Sequence, residues 1–129
     1  VAQYHLSQDV GNNIICYKYI ESNEEMHHMI AAAKIFLFLS LVEGFGFPPI
    51  EAMQLGTPVV CSGVSSLPEV VGGAAILVDP CEPDEVADAL VKLQNDANKQ
   101  QELIVKGYHN VERFSWDKTA NKYADIVMK

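Results

Sequence analysis

Two carboxylates, Glu43 and Glu51, stand with seven residues between them, on either side of Gly44-Phe45-Gly46-Phe47 and the diproline Pro48-Pro49. Gly44 and Gly46 allow a backbone to approach a ligand with no Cβ in the way. The prolines mark a helix start, because first-turn N–H groups have no intrahelical partner and a residue without one is tolerated there. Such a start turns its free N–H groups and the positive end of its dipole outward, which suits a phosphate or diphosphate. A carboxylate beside a phosphate is out of place unless it is bonded to something else. Ionised glutamate only accepts hydrogen bonds and can hold two vicinal hydroxyls at once, as ribose and hexoses offer them. The stretch therefore describes a nucleotide-sugar site, with amides for the diphosphate and glutamates for hydroxyls on either side. Glu51 also fits a plainer role, that of a first-turn carboxylate complementing the helix dipole.

Positioning these residues requires a strand before the turn and a helix after it. The run Ile35–Leu39 is apolar on both faces, as a central parallel strand is. Gly56 and Pro58 close the helix after the turn. Further strands are expected at Asn13–Tyr19, Pro58–Cys61 and Ala75–Val78. Ser22 and Glu25 form a capping box for a helix that places Met26, Met29, Ile30 and Ala33 on one face. Pro83 starts a helix carrying Val86, Leu90 and Leu93, and a second helix carries Leu103, Ile104 and Tyr108. Ser115 caps a last one, striped by Trp116, Ala120, Tyr123 and Val127. Alternation of strands with helices gives an α/β fold: a partial Rossmann-like parallel sheet of about four strands, flanking helices and a helical C-terminal tail.

The chain has 129 residues, enough for one domain over residues 1–129. Nine Lys and Arg against seventeen Asp and Glu leave a net charge of −8, which disfavours nucleic acid and anionic membrane surfaces as partners. No apolar run approaches the length that spans a bilayer. Three cysteines, Cys16, Cys61 and Cys81, are odd in number and widely spaced, which fits reduced thiols and a cytosolic setting. His27 and His28 point about 100° apart on a helix and do not share a metal ion readily. No metal site is expected.

Glu43-Gly44-Phe45-Gly46 followed by Glu51-Ala52-Met53 resembles the E-x7-E motif of retaining GT-B glycosyltransferases of family 4. The resemblance continues through Gly56-Thr57-Pro58-Val59-Val60, Leu67-Pro68-Glu69-Val70, Leu77-Val78-Asp79-Pro80 and Phe114-Ser115-Trp116. It implies the later part of a C-terminal, donor-binding domain. By position, Glu43 matches the catalytic-site carboxylate on the donor sugar's hydroxyls, and Glu51 the one on the ribose. The backbone of Gly44, Phe45, Gly46 and Phe47 matches the turn near sugar and diphosphate. Tyr17, Lys18 and Tyr19 fall where the family contacts the base. The family works without a metal or other cofactor, on donors such as UDP-, GDP- or ADP-hexoses, and is at home in polysaccharide and glycoconjugate synthesis.

The same resemblance implies parts that are not found here. Two earlier strands carrying an Arg and a Lys for the diphosphate, and an acceptor-binding N-terminal domain, normally precede this segment. Without them the chain is expected to transfer no sugar by itself, and exposed strand edges are expected to favour self-association. The last helix resembles the one that crosses back to the N-terminal domain. Two readings thus stand: the donor-binding portion of a hexosyltransferase acting in or at the cytoplasm, or a non-catalytic nucleotide-binding or interaction module.

Overall fold

The computed structural model describes residues 14, 15, 17, 19, 20 and 22–128. In chain order the elements are α1 (Asn23–Ala32), β1 (Phe36–Phe38), α2 (Phe47–Gln54), β2 (Val59–Ser62), α3 (Leu67–Val71), β3 (Ala75–Val78), α4 (Pro83–Gln94), α5 (Ala97–Val111) and α6 (Trp116–Val127). The strands form one parallel sheet in the order β1-β2-β3. Phe36 lies opposite Val59, and Val59 opposite Ala75. The α/β class, the parallel sheet, the flanking helices and the helical tail are as the sequence implies.

The centre of the sheet is β2, buried at all four positions. Its side chains alternate between two cores, as the two-residue period of a strand requires. Val59 and Cys61 join Ile50, Ala52, Met53, Leu67, Val70 and Val71 on one side. Val60 joins Val78, Val86, Leu93 and Leu103 on the other. Burying Met53, Leu67 or Leu93, each under 2–3 % exposed, stabilises the fold by roughly 1.5–3 kcal/mol per side chain.

Three expectations are corrected. First, the described residues of the segment expected as a strand at 13–19 (Ile14, Ile15, Tyr17 and Tyr19) carry no strand and are exposed; Asn13, Cys16 and Lys18 lie outside the described residues. An apolar run becomes a strand only where a neighbour accepts its ladder. Second, β1 is an edge strand among the described residues, not a central one, and Leu37 is 40 % exposed. Third, Met29 is exposed although Ile30 beside it is buried, because the apolar face of α1 is narrower than its spacing suggests.

The local signals are otherwise expressed as bonds. The Ser22 hydroxyl accepts from the Glu25 N–H at 3.3 Å, capping α1. The Ser115 hydroxyl accepts from the Lys118 N–H, capping α6. Gly56 ends α2 with φ +76, a conformation only glycine adopts at little cost. Thr57 then donates its buried hydroxyl to the Ile30 carbonyl at 2.8 Å, tying the end of α1 to the end of α2. α6 has no buried residue, and Trp116 and Tyr123 of its stripe are both exposed. None of the helices is long and apolar enough to cross a membrane among the described residues.

Two of the cysteines are described, and they differ in environment. Cys81 is exposed, whereas Cys61 sits fully buried in β2, where desolvation pushes its thiol up to about 11. Nucleophilic thiolate is therefore scarce at Cys61. At pH 8, iodoacetamide is expected to alkylate Cys81 in the folded protein while Cys61 reacts only after denaturation, as peptide mass mapping reads directly. Rapid labelling of Cys61 in the native state would contradict this burial. Because the folded pKa lies above the unfolded one, the buried thiol's contribution to stability holds below about pH 9 and declines as pH rises toward 11.

Candidate functional site

β1 delivers the chain into a turn over residues 39–46, and α2 leaves it. Gly46 is the N-cap of α2, with φ 105 and ψ 60 and no side-chain cap. A Cβ at Gly46 would lie 2.5 Å from Leu67 Cδ2, so both its backbone angle and its surroundings demand glycine. Gly44 differs. It has no left-handed backbone, and a Cβ there would meet no protein atom within 4 Å. Nothing in the fold itself requires glycine at that position.

Among the described residues, no hydrogen bond uses the N–H groups of Gly44, Phe45, Gly46 or Phe47. They form a run of four consecutive free donors. The next two positions of α2, Pro48 and Pro49, have no N–H at all. Any anion here would thus be held by the turn and the first helical amide, with the rest of the helix end contributing its dipole alone.

Phe45 anchors the turn. Its ring meets Phe114 edge-on, with centroids 5.3 Å apart and planes at 86°, and lies 4.8 Å from the ring of Phe47. Phe47 itself is half-exposed. Phe114, of the Phe114-Ser115-Trp116 block, therefore packs against the turn. A hollow beside it is lined by Phe45, Phe47, Ile50, Phe114, Trp116 and Thr119; Glu43 and Glu51 do not line it.

Glu43 and Glu51 are both partly buried, one at each end of this segment. Glu51 is the fifth residue of α2, in its second turn, and no acidic residue occupies the first. A dipole-complementing role, which falls off within the first turn, does not account for it. Neither carboxylate forms an ion pair among the described residues. Between residues 35 and 91 the sequence has no Lys or Arg. The only arginine, Arg113, donates to Asn110 Oδ1 at 2.6 Å and to the Glu69 carbonyl at 3.3 Å, and stacks 5.1 Å over Phe114. Its charge is engaged away from the turn.

Glu43, Gly44, Phe45 and Gly46 lie in the turn before α2, and Phe47 and Glu51 lie within α2. Tyr17 and Tyr19 are exposed, and no described hydrogen bond or cavity joins them to it; Lys18 lies outside the described residues. No cluster of three metal-ligating side chains occurs among the described residues.

Two residues that sequence reasoning passed over hold the turn in place. The Ser65 hydroxyl accepts from the Glu43 N–H at 3.2 Å and donates to the Glu43 carbonyl at 2.9 Å. The Ser66 hydroxyl reaches the carbonyls of Glu43 at 3.0 Å and Phe45 at 2.9 Å. Their only sequence signal is a serine pair just before Leu67-Pro68, which reads as an ordinary helix cap.

The chain is similar to known proteins. The glycosyl transferases group 1 family matches over residues 3–110. The O-antigen chain mannosyltransferase B of Escherichia coli is 38% identical over 105 residues, covering 78% of this chain and 28% of that protein. The MMP alpha-(1->4)-mannosyltransferase of Mycolicibacterium hassiacum is 40% identical over 112 residues, covering 84% of this chain and 27% of that protein. The chain thus spans about a quarter of the length of these curated relatives. Among solved structures, sucrose-phosphate synthase from Thermosynechococcus elongatus superposes with a TM-score of 0.72 at 29% identity, covering 81% of this chain and 27% of that one.

Proposed function

Since this chain belongs to the group 1 glycosyl transferases, we propose that it forms the donor-binding side of a retaining, GT-B, family 4 hexosyltransferase. Glu51 accepts from the two ribose hydroxyls, the free amides of residues 44–47 hold the diphosphate, and Glu43 accepts from hydroxyls of the donor sugar. The observation that supports this reading is the run of four N–H groups that are unpaired among the described residues, between two carboxylates with no cationic partner among those residues. Donors without acceptors and acceptors without donors, side by side, suit a ligand that supplies both.

In the reaction, the bond between the sugar's anomeric carbon and the diphosphate oxygen breaks first, and positive charge develops at the sugar. The bond to the acceptor oxygen forms on the same face, and the departing diphosphate takes the acceptor's proton. Glu43 tightens on the sugar hydroxyls as that charge develops. Mannose is the hexose assigned, since both relatives described above are named for its transfer. The setting assigned is envelope polysaccharide or glycoconjugate synthesis. No residue of this chain is assigned to the acceptor.

The lack of any Lys or Arg from 35 to 91 favours one further reading of the chain by itself: it binds without turnover. Helix and turn amides alone stabilise a leaving diphosphate incompletely.

Titration of the chain with UDP-, GDP- and ADP-sugars, followed by amide NMR, tests the proposal. Shifts confined to Glu43–Glu51 and favouring one base are expected; absence of binding to all of them would sink it. Gly44→Ala is expected to weaken that binding about tenfold by placing a methyl where the ligand approaches. It should leave Tm within about 2 °C, because that methyl meets no protein atom.

A further inference from the structure

Ser66 is the N-cap residue of α3, the position where a serine hydroxyl ordinarily accepts from a first-turn amide. Here it makes no such bond. The hydroxyl turns instead to the carbonyls of Glu43 and Phe45, 21 to 23 residues earlier in the chain. Ser65 shows a second departure from local preference. It is the only non-glycine with positive φ among the described residues, at 58, a conformation that disfavours side chains bearing a Cβ. Held that way, its hydroxyl engages both the N–H and the carbonyl of Glu43. Backbone strain of this kind persists where the surroundings enforce it, and it concentrates at functional sites.

Both departures converge on one residue. Glu43 has its N–H and its carbonyl tied to serine hydroxyls, while its carboxylate enters no described hydrogen bond or ion pair. A fixed backbone sets where the Glu43 Cα–Cβ bond starts and points, while the carboxylate oxygens remain available to a ligand. The four free amides start at the next residue, so the same clasp sets their direction.

We propose that Ser66, with Ser65, is a positioning residue: it fixes the backbone of Glu43 and thereby orients the Glu43 carboxylate toward the sugar of a bound nucleotide sugar. This inference rests on the donor-site reading given above. It adds to that reading a clasp from the β2–α3 loop, outside the segment that would touch the ligand.

The test compares two ligands on the chain: the nucleotide sugar that binds best, and the matching nucleoside, which reaches the Glu51 end alone. Ser66→Ala is expected to weaken the nucleotide sugar about tenfold, as loss of one hydrogen bond would, with nucleoside affinity unchanged. Ser66→Thr keeps a hydroxyl and is expected to bind both ligands as the parent does. Ser65→Gly accepts the backbone angle and loses the hydroxyl, and should follow Ser66→Ala; it carries the comparison if Ser66→Ala does not fold. Equal weakening of both ligands marks a merely structural role and overturns the proposal. So does parent-like binding of the nucleotide sugar by Ser66→Ala and Ser65→Gly. In that last case, with the unmodified chain binding both ligands, the donor-site reading survives. If the unmodified chain binds neither ligand, both readings fall together.

Discussion

Glu51→Ala is expected to raise the dissociation constant for a nucleotide sugar about a hundredfold, the largest effect of any single substitution at the site. Each hydrogen bond to a charged acceptor is worth about 1.5–3 kcal/mol, and Glu51 is assigned two of them from a ribose diol. Two such bonds at the low end of that range amount to about 3 kcal/mol, or a factor of roughly a hundred in affinity. The fold should lose little. Glu51 lies in the second turn of α2, so its charge is not needed near the helix start, and its carbonyl bond from the Leu55 N–H at 3.0 Å belongs to the backbone. Alanine also has the better helix propensity. Calorimetric titration with a melting curve separates the two effects. Donor affinity unchanged in Glu51→Ala would remove Glu51 from the site, whatever the melting curve does.

Gly46→Ala is expected to act in the opposite way, on the fold first. Alanine at φ 105 leaves the conformations that a Cβ tolerates, and that Cβ would lie 2.5 Å from Leu67 Cδ2. Leu67 is fully buried among Met53, Val70 and Val71 and has no solvent side to move toward. Strain and overpacking together should cost about 2–4 kcal/mol, or a fall in Tm of about 10 °C. Thermal unfolding followed by circular dichroism reads it. A fall below about 2 °C would mean that the left-handed N-cap of α2 is not populated. The contrast with Gly44→Ala is informative: two glycines two residues apart, one demanded by the fold and one left open by it.

Much of this arrangement was legible in the residues. Pro83, Gly56, Ser22 and Ser115 announce their helix ends by local chemistry that acts within four residues, a ring at Pro83, a left-handed backbone at Gly56 and capping hydroxyls at the two serines. Strand β2 is legible because Val59, Val60 and Cys61 form an apolar run, while its last buried position, Ser62, is polar and falls outside the expected strand. The segment at 13–19 looked similar, but its described residues carry no strand, because a run does not encode a neighbour to pair with. Helix α3 escaped notice because five residues are too few to display a helical period. The serine clasp was illegible for a different reason. Hydroxyls near a helix start suggest a local cap, and only the folded chain shows that both of them are spent on a turn more than 20 residues away. At the proposed site, residue types and spacing name Glu43 and Glu51 as the candidates. The placement of Glu51 in the second turn, however, depends on α2 beginning at Phe47, one residue ahead of the prolines.

Those prolines have a consequence for how a ligand arrives. Their rings lock two successive backbone angles at the entrance of α2 in the unfolded chain as well as the folded one, so less disorder is lost when this stretch takes its shape. The entrance of α2 is thus largely preorganised, and a donor bound as proposed would meet a finished lock more than a loop closing around its guest.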